Sequence, residues 1–133
     1  MKRVVVFIAV FLLLLLAPVS LVSAQQQSIT VTPDEVIEQN PYFAAGENVT
    51  ISGTIDGDAY VAGGTVTVDG TINGDLIVAG GTVRITGEVA NDVRGASGQL
   101  TINGVVGGNI TYGTGNLDIS EDSSIGGYIL AAG

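Results

Sequence analysis

A self-similarity of 17 residues runs through most of this 133-residue chain and constrains its fold more than any other feature. The blocks VTISGTIDGDAYVAGGT (49–65), VTVDGTINGDLIVAGGT (66–82), VRITGEVANDVRGASGQ (83–99), LTINGVVGGNITYGTGN (100–116) and LDISEDSSIGGYILAAG (117–133) line up with one another. A fixed period in this range marks stacked repeats, because a unit this small cannot bury its apolar face alone.

Within each block the pattern is that of strands. The first and third positions are apolar throughout: Val49/Ile51, Val66/Val68, Val83/Ile85, Leu100/Ile102 and Leu117/Ile119. The residue between them is Thr50, Thr67, Arg84, Thr101 or Asp118, so alternate side chains point in and out. The fifth position is Gly53, Gly70, Gly87 or Gly104, with Glu121 breaking the column; glycine there suits a corner needing positive φ or close backbone packing. Ile55, Ile72, Val89 and Val106 form a second inward column, and Ala59, Leu76, Val93 and Ile110 a third. The last block carries one extra residue, which places Ile125 in the seventh-position column and Tyr128 in the eleventh. Three short apolar segments joined by corners make one triangular turn. Stacked ~4.8 Å apart, such turns pair strand on strand in parallel. The predicted fold is all-β: a single-stranded parallel β-helix, or solenoid, of about five 17-residue coils. Parallel crossovers favour the right-handed form.

The period reaches back before Val49, since Tyr42-Phe43-Ala44-Ala45-Gly46 matches Ala59-Tyr60-Val61-Ala62-Gly63. The repeat domain is therefore expected at 42–133, with 25–41 as an N-terminal spacer and cap. Within that spacer, 28–32 alternates like a strand, and 34–39 suits one helical turn with Asp34 as N-cap and Val36 and Ile37 turned inward.

The recurring G-T-[IV]-x-G-D-[LAV]-x-V-A-G-G-T-V-x-[IV] pattern, clearest at 53–68 and 70–85, resembles the bactofilins and their polymer-forming relatives. The resemblance implies a right-handed β-helix whose units join end to end into filaments without a nucleotide. It also implies a scaffold for membrane-associated and cell-envelope processes. The best-known bactofilins are cytoplasmic, whereas this chain begins like an exported one.

Lys2 and Arg3 precede an unbroken apolar run over 4–16, and Val22-Ser23-Ala24 fits a small-residue cleavage site. Residues 1–24 read as a signal peptide cut between Ala24 and Gln25. An uncleaved anchor is the other reading, since 4–22 approaches the ~20 residues that span a bilayer. Both export the remainder to the cell envelope or the exterior. Without Lys2 and Arg3, 13 acids stand against Arg84 and Arg94, a net charge of −11. That balance disfavours nucleic acid and anionic lipid as partners.

Little here promises chemistry. The chain has no cysteine and no histidine, which removes thiolate nucleophiles, zinc–sulfur sites and the commonest general base. Asp58, Asp75 and Asp92 form one column, continued by Asn109. A row of cations such as Ca²⁺ would relieve their repulsion, but one carboxylate per coil falls short of the 6–8 oxygens Ca²⁺ takes. An Asx turn, in which each Asp caps its own corner, is the plainer use. Phe43, Tyr60 and Tyr112 are candidates for a sugar-binding strip, with core or corner packing as the alternative. The sequence spells no enzyme and no cofactor site.

Two readings fit the end of the repeat: further coils of a longer protein, or a polymer interface. For the second, Leu117, Ile119, Tyr128, Ile129 and Leu130 are the expected contact residues, with Leu130 placed in the terminal core column. The expected function is a structural, self-associating module that polymerises end to end as an extracytoplasmic or membrane-associated scaffold. Its expected partners are copies of itself and envelope components. A monomeric surface adhesin or glycan-binding solenoid is the alternative.

Overall fold

The computed structural model describes residues 27–133. Among them there is no helix, only thirteen strands. Five are long: β3 (Tyr42–Ile51), β5 (Ala59–Val68), β7 (Leu76–Ile85), β9 (Val93–Ile102) and β11 (Ile110–Ile119). Two-residue strands alternate with them: β2 (Val36–Ile37), β4 (Thr54–Ile55), β6 (Thr71–Ile72), β8 (Glu88–Val89), β10 (Val105–Val106) and β12 (Ser124–Ile125). β1 (Ser28–Val31) opens the series and β13 (Ile129–Ala132) closes it. The odd-numbered strands form one parallel sheet in sequence order and the even-numbered strands a second. The molecule is a β-solenoid in which each coil lies in register on the one before, Val66 against Val83 and Ile72 against Val89.

Each long strand covers two sides of the coil. In β5 the buried residues are Ala59 and Val61, then Val66 and Val68. The odd interval between Val61 and Val66 breaks strict alternation, so both pairs face one core only if the strand turns between them. It does so at Gly63-Gly64, and the register skips Gly64 and its equivalent Glu47. A second corner lies at Gly70. There the Asp69 and Gly70 N–H groups both donate to the Ile51 carbonyl at 2.9 Å. A Cβ on Gly70 would run into the Gly53 carbonyl oxygen. Close backbone packing therefore explains this glycine column, and among the described residues positive φ is confined to Gly57 and Gly95.

The core is an unbroken stack. Val49, Ile51, Ile55 and Ala59 repeat as Val66, Val68, Ile72 and Leu76, then Val83, Ile85, Val89 and Val93, then Leu100, Ile102, Val106 and Ile110, all buried. A further inward column joins these: Ala44, Val61, Val78, Gly95 and Tyr112. Its alternation is hidden because Gly95 lacks a side chain and Tyr112 is bulky.

The strand expected at 28–32 forms as β1, and the segment before Tyr42 lies against the first full coil. β1 pairs with the second half of β3 and β2 with β4, which adds a partial coil and gives about six turns. The helical turn expected at 34–39 does not form. Thr32 to Glu35 make a tight turn closed by Glu35 N–H to Thr32 O at 3.0 Å, with Pro33 at its second position, and the β-branched Val36 and Ile37 join the sheet. Ile37 packs on the core while Val36 points out. In the last coil the offset grows from 17 at Ile102↔Ile119 to 19 at Val106↔Ile125, so two residues are inserted. They lie in the turn closed by Ser123 N–H to Ser120 O. Ile125 holds its expected column, but Ile129, not Tyr128, stacks on Ile110.

Candidate functional site

Three surface features follow from this stack. The first is the corner before each long strand. Asp75 N–H donates to Asp58 Oδ1 (2.8 Å), Asp92 N–H to Asp75 Oδ1 (2.9 Å), and Asn109 N–H to Asp92 Oδ1 (2.8 Å). Asn40 begins the series by accepting from Asp58 N–H, and Tyr128 N–H ends it on Asn109 Oδ1. Each side chain thus caps the coil above rather than its own corner, contrary to the Asx-turn reading. The chain bends here and the carbonyl-to-amide ladder cannot reach this N–H, so a carboxylate or amide replaces the missing acceptor. The glycine before the Asx residue leaves room: a Cβ on Gly74 would meet Asp58 Oδ1, and one on Gly108 would meet Asp92 Oδ1. That is the physical content of the recurring Gly-Asp step. Among the described residues, no group of three or more His, Cys, Asp or Glu is placed to hold a metal ion. Asp92 also makes an ion pair with Arg94, Nη2 to Oδ2 at 3.2 Å.

The second feature is the outer face of the first half of the long strands. Its side chains form two columns. One is Phe43, Tyr60, Ile77, Arg94, Thr111 and Leu130; the other is Ala45, Ala62, Ala79, Ala96, Gly113 and Ala132. Phe43 (65% exposed) stacks on Tyr60, ring centroids 5.1 Å apart. Beside the bulky column runs a shallow apolar trough of about 720 Å³ floored by the alanines. Tyr112 belongs elsewhere. It is 3% exposed and points inward, so the proposed aromatic strip splits, with Phe43 and Tyr60 outside and Tyr112 in the core. Its ring packs at Gly95, where a Cβ would lie 3.1 Å from Tyr112 Cε2 and collide with the Val78 carbonyl oxygen. Burial pushes the Tyr112 phenol up, and the nearby Ser97 side chain pulls it partly back. No hydrogen bond closes between them. Ser97 donates to the Gln99 carbonyl, and the phenolic oxygen has no partner among the described residues.

The third feature is the last described coil. Leu117 is 38% and Ile129 42% exposed, although Leu100 and Ile110, directly beneath them, are fully buried. Ile119 and Ile125 are partly buried in the same way. These are core columns with their upper side open. Leu130 differs: it stacks on the outward Thr111 and is 61% exposed, so it belongs to the flank and not to the terminal core column. Tyr128, 62% exposed, occupies the Asx corner. Of the five expected interface residues, Leu117, Ile119 and Ile129 come together on the open coil, and Tyr128 and Leu130 do not join their columns. Ala24 and Gln25, with the rest of the expected leader, lie outside the described residues.

No protein-family model, no curated protein and no solved structure compared with the chain matches it.

Proposed function

We propose that the solenoid is a structural module that associates with copies of itself coil on coil. The observation that carries this reading is the equivalence of the coils. Leu117, Ile119, Ile125 and Ile129 continue columns that are fully buried one coil lower, and a further coil of the same kind completes them. β13 and the second half of β11 also present strand edges, which a second parallel or antiparallel strand satisfies. Coil stacking buries apolar side chains and pairs backbone groups at once, without a nucleotide or a metal. The Gly-Asp and Gly-Gly corners behind this regularity are those that resemble the bactofilins, and membership of that family is part of the proposal. So is placement in the cell envelope, which rests on the leader-like 1–24.

Electron microscopy of negatively stained protein, with sedimentation velocity, tests the reading. Rods many times the length of one molecule are expected, and Ile129→Lys, which sets a charge in the open core column, is expected to abolish them. Strictly monomeric particles at high concentration, or unchanged rods from Ile129→Lys, would overturn it. The stacked Phe43–Tyr60 pair favours a glycan-binding alternative. Its neighbours are alanines, however, which offer a sugar no side-chain hydrogen bonds. Glycan-array binding by a monomeric chain would support that alternative.

A further inference from the structure

We infer that the apolar flank is a self-association surface. A second copy lies side by side with the first, the two rods parallel, about a two-fold axis that runs along the rods between the two outer columns. The inference is independent of coil-on-coil stacking and uses a different surface.

The first argument is shape. Phe43, Tyr60 and Ile77 stand in one column, and Ala45, Ala62, Ala79 and Ala96 in the next. A two-fold axis along the rod exchanges the columns, so each bulky side chain of one copy enters the alanine-floored trough of the other: Tyr60 over the second copy's Ala62, Ile77 over its Ala79. The rows rise at the same ~4.8 Å pitch in both copies, so a fit at one coil is a fit at every coil. Interdigitation of two sheets at matched pitch is the packing of dry β interfaces. A partner of irregular surface cannot follow that pitch.

The second argument is charge. With a net charge of −11 beyond the leader, two molecules repel over most of their surface. The two outer columns hold no carboxylate, and their one charged member is Arg94. On one side of the flank runs the corner of Asn40, Asp58, Asp75 and Asp92. On the other runs the corner of Gly46-Glu47, Gly63-Gly64, Gly80-Gly81 and Ser97-Gly98, whose one carboxylate, Glu47, belongs to the coil where Asn40 and not an aspartate holds the opposite corner. In the parallel arrangement each aspartate corner faces a glycine corner. Turned antiparallel, the aspartate corners would face each other, like charge on like charge. The electrostatics therefore select the same arrangement as the shape.

The third argument sets the strength. Four residues of strand by four coils is a strip of about 250 Å² per copy. Specific stable pairs bury about 800 Å² per partner. The pairing is therefore weak and reversible for single molecules and reinforced where rods lengthen.

Sedimentation velocity across a concentration series into the high-micromolar range tests this, on the unmodified chain and on Ile129→Lys. A reversible dimer is expected in Ile129→Lys, strengthened by added salt because screening relieves the net repulsion. Ala62→Phe fills the trough and Ala79→Glu charges it, and each is expected to weaken pairing at least tenfold. The exchanged variant Tyr60→Ala/Ala62→Tyr, which moves the bulk to the other column, is expected to restore it. These positions are exposed, apart from Tyr60 at its partly covered base, and circular dichroism verifies folding. Absence of a dimer, indifference to both Ala62→Phe and Ala79→Glu, or failure of the exchanged variant to recover would overturn the inference. Loss of long rods in Ile129→Lys with the side pair retained separates this surface from the coil end.

Discussion

Tyr112 shows how one residue can be anchored by its neighbour's missing side chain. Gly95 leaves an opening in an inward column, and the Tyr112 ring occupies it at the cost of a buried hydroxyl without a partner. An unpaired buried hydroxyl costs about 1–3 kcal/mol. Tyr112→Phe keeps the ring and removes that oxygen, so the variant is expected to match or exceed the unmodified chain by up to about 2 kcal/mol in urea unfolding near pH 7. A loss above about 1 kcal/mol would show that the hydroxyl is satisfied after all. The same residue gives a pH signature. Its phenol is pushed above the ordinary 10.0 by burial, so the folded state favours the neutral form. That contribution is fully present below about pH 10 and is lost as pH rises through the higher folded-state value. Stability should therefore fall in alkali, and fall less steeply in Tyr112→Phe. Tyr42, raised by burial and by Glu35, keeps its share in both chains.

At the scale of the coil, the joints matter as much as the strands. The strands were legible in the sequence because Val, Ile and Leu recur at fixed spacing and the residues between them are polar. The Asp58–Asp75–Asp92 column was legible as a column, but not its bonding. A one-dimensional repeat does not say whether a side chain caps its own corner or the next coil's. The inserted turn near Glu121 and Asp122 is legible as a shift, and Ile125 in the seventh-position column already requires two extra residues, which puts Ile129 and not Tyr128 on Ile110. The strand at 28–32 is legible from its alternation, but its place in the repeat is not, because the spacing there departs from 17, at 20 for Val31↔Ile51 and 18 for Ile37↔Ile55. The joints can be tested directly. Asp75→Ala leaves the Asp92 N–H without its acceptor and is expected to cost about 1–3 kcal/mol in urea unfolding. Asp75→Asn keeps an acceptor, as Asn109 already does, and is expected to stay within about 0.5 kcal/mol of the unmodified chain. Equal losses in the two variants would mean that the charge, not the hydrogen bond, holds the corner.

For the molecule as a whole, the repeat presents two distinct apolar surfaces that we propose for contact with another copy. In the proposed assembly the columns ending at Leu117 and Ile129 would extend the stack along its axis, and the Phe43–Tyr60–Ile77 flank would broaden it sideways. Both use apolar surface in a chain whose acids otherwise keep copies apart, so assembly of either kind should strengthen as salt screens the net charge. The six described coils at ~4.8 Å span about 29 Å. X-ray diffraction from concentrated, flow-aligned protein measures how far that spacing continues without interruption. If molecules stack coil on coil in register, the reflection near 4.8 Å lies along the rod axis, with a width that corresponds to coherent order over many times 29 Å. A reflection broadened to about 29 Å of order, or none along the axis, would contradict end-to-end stacking.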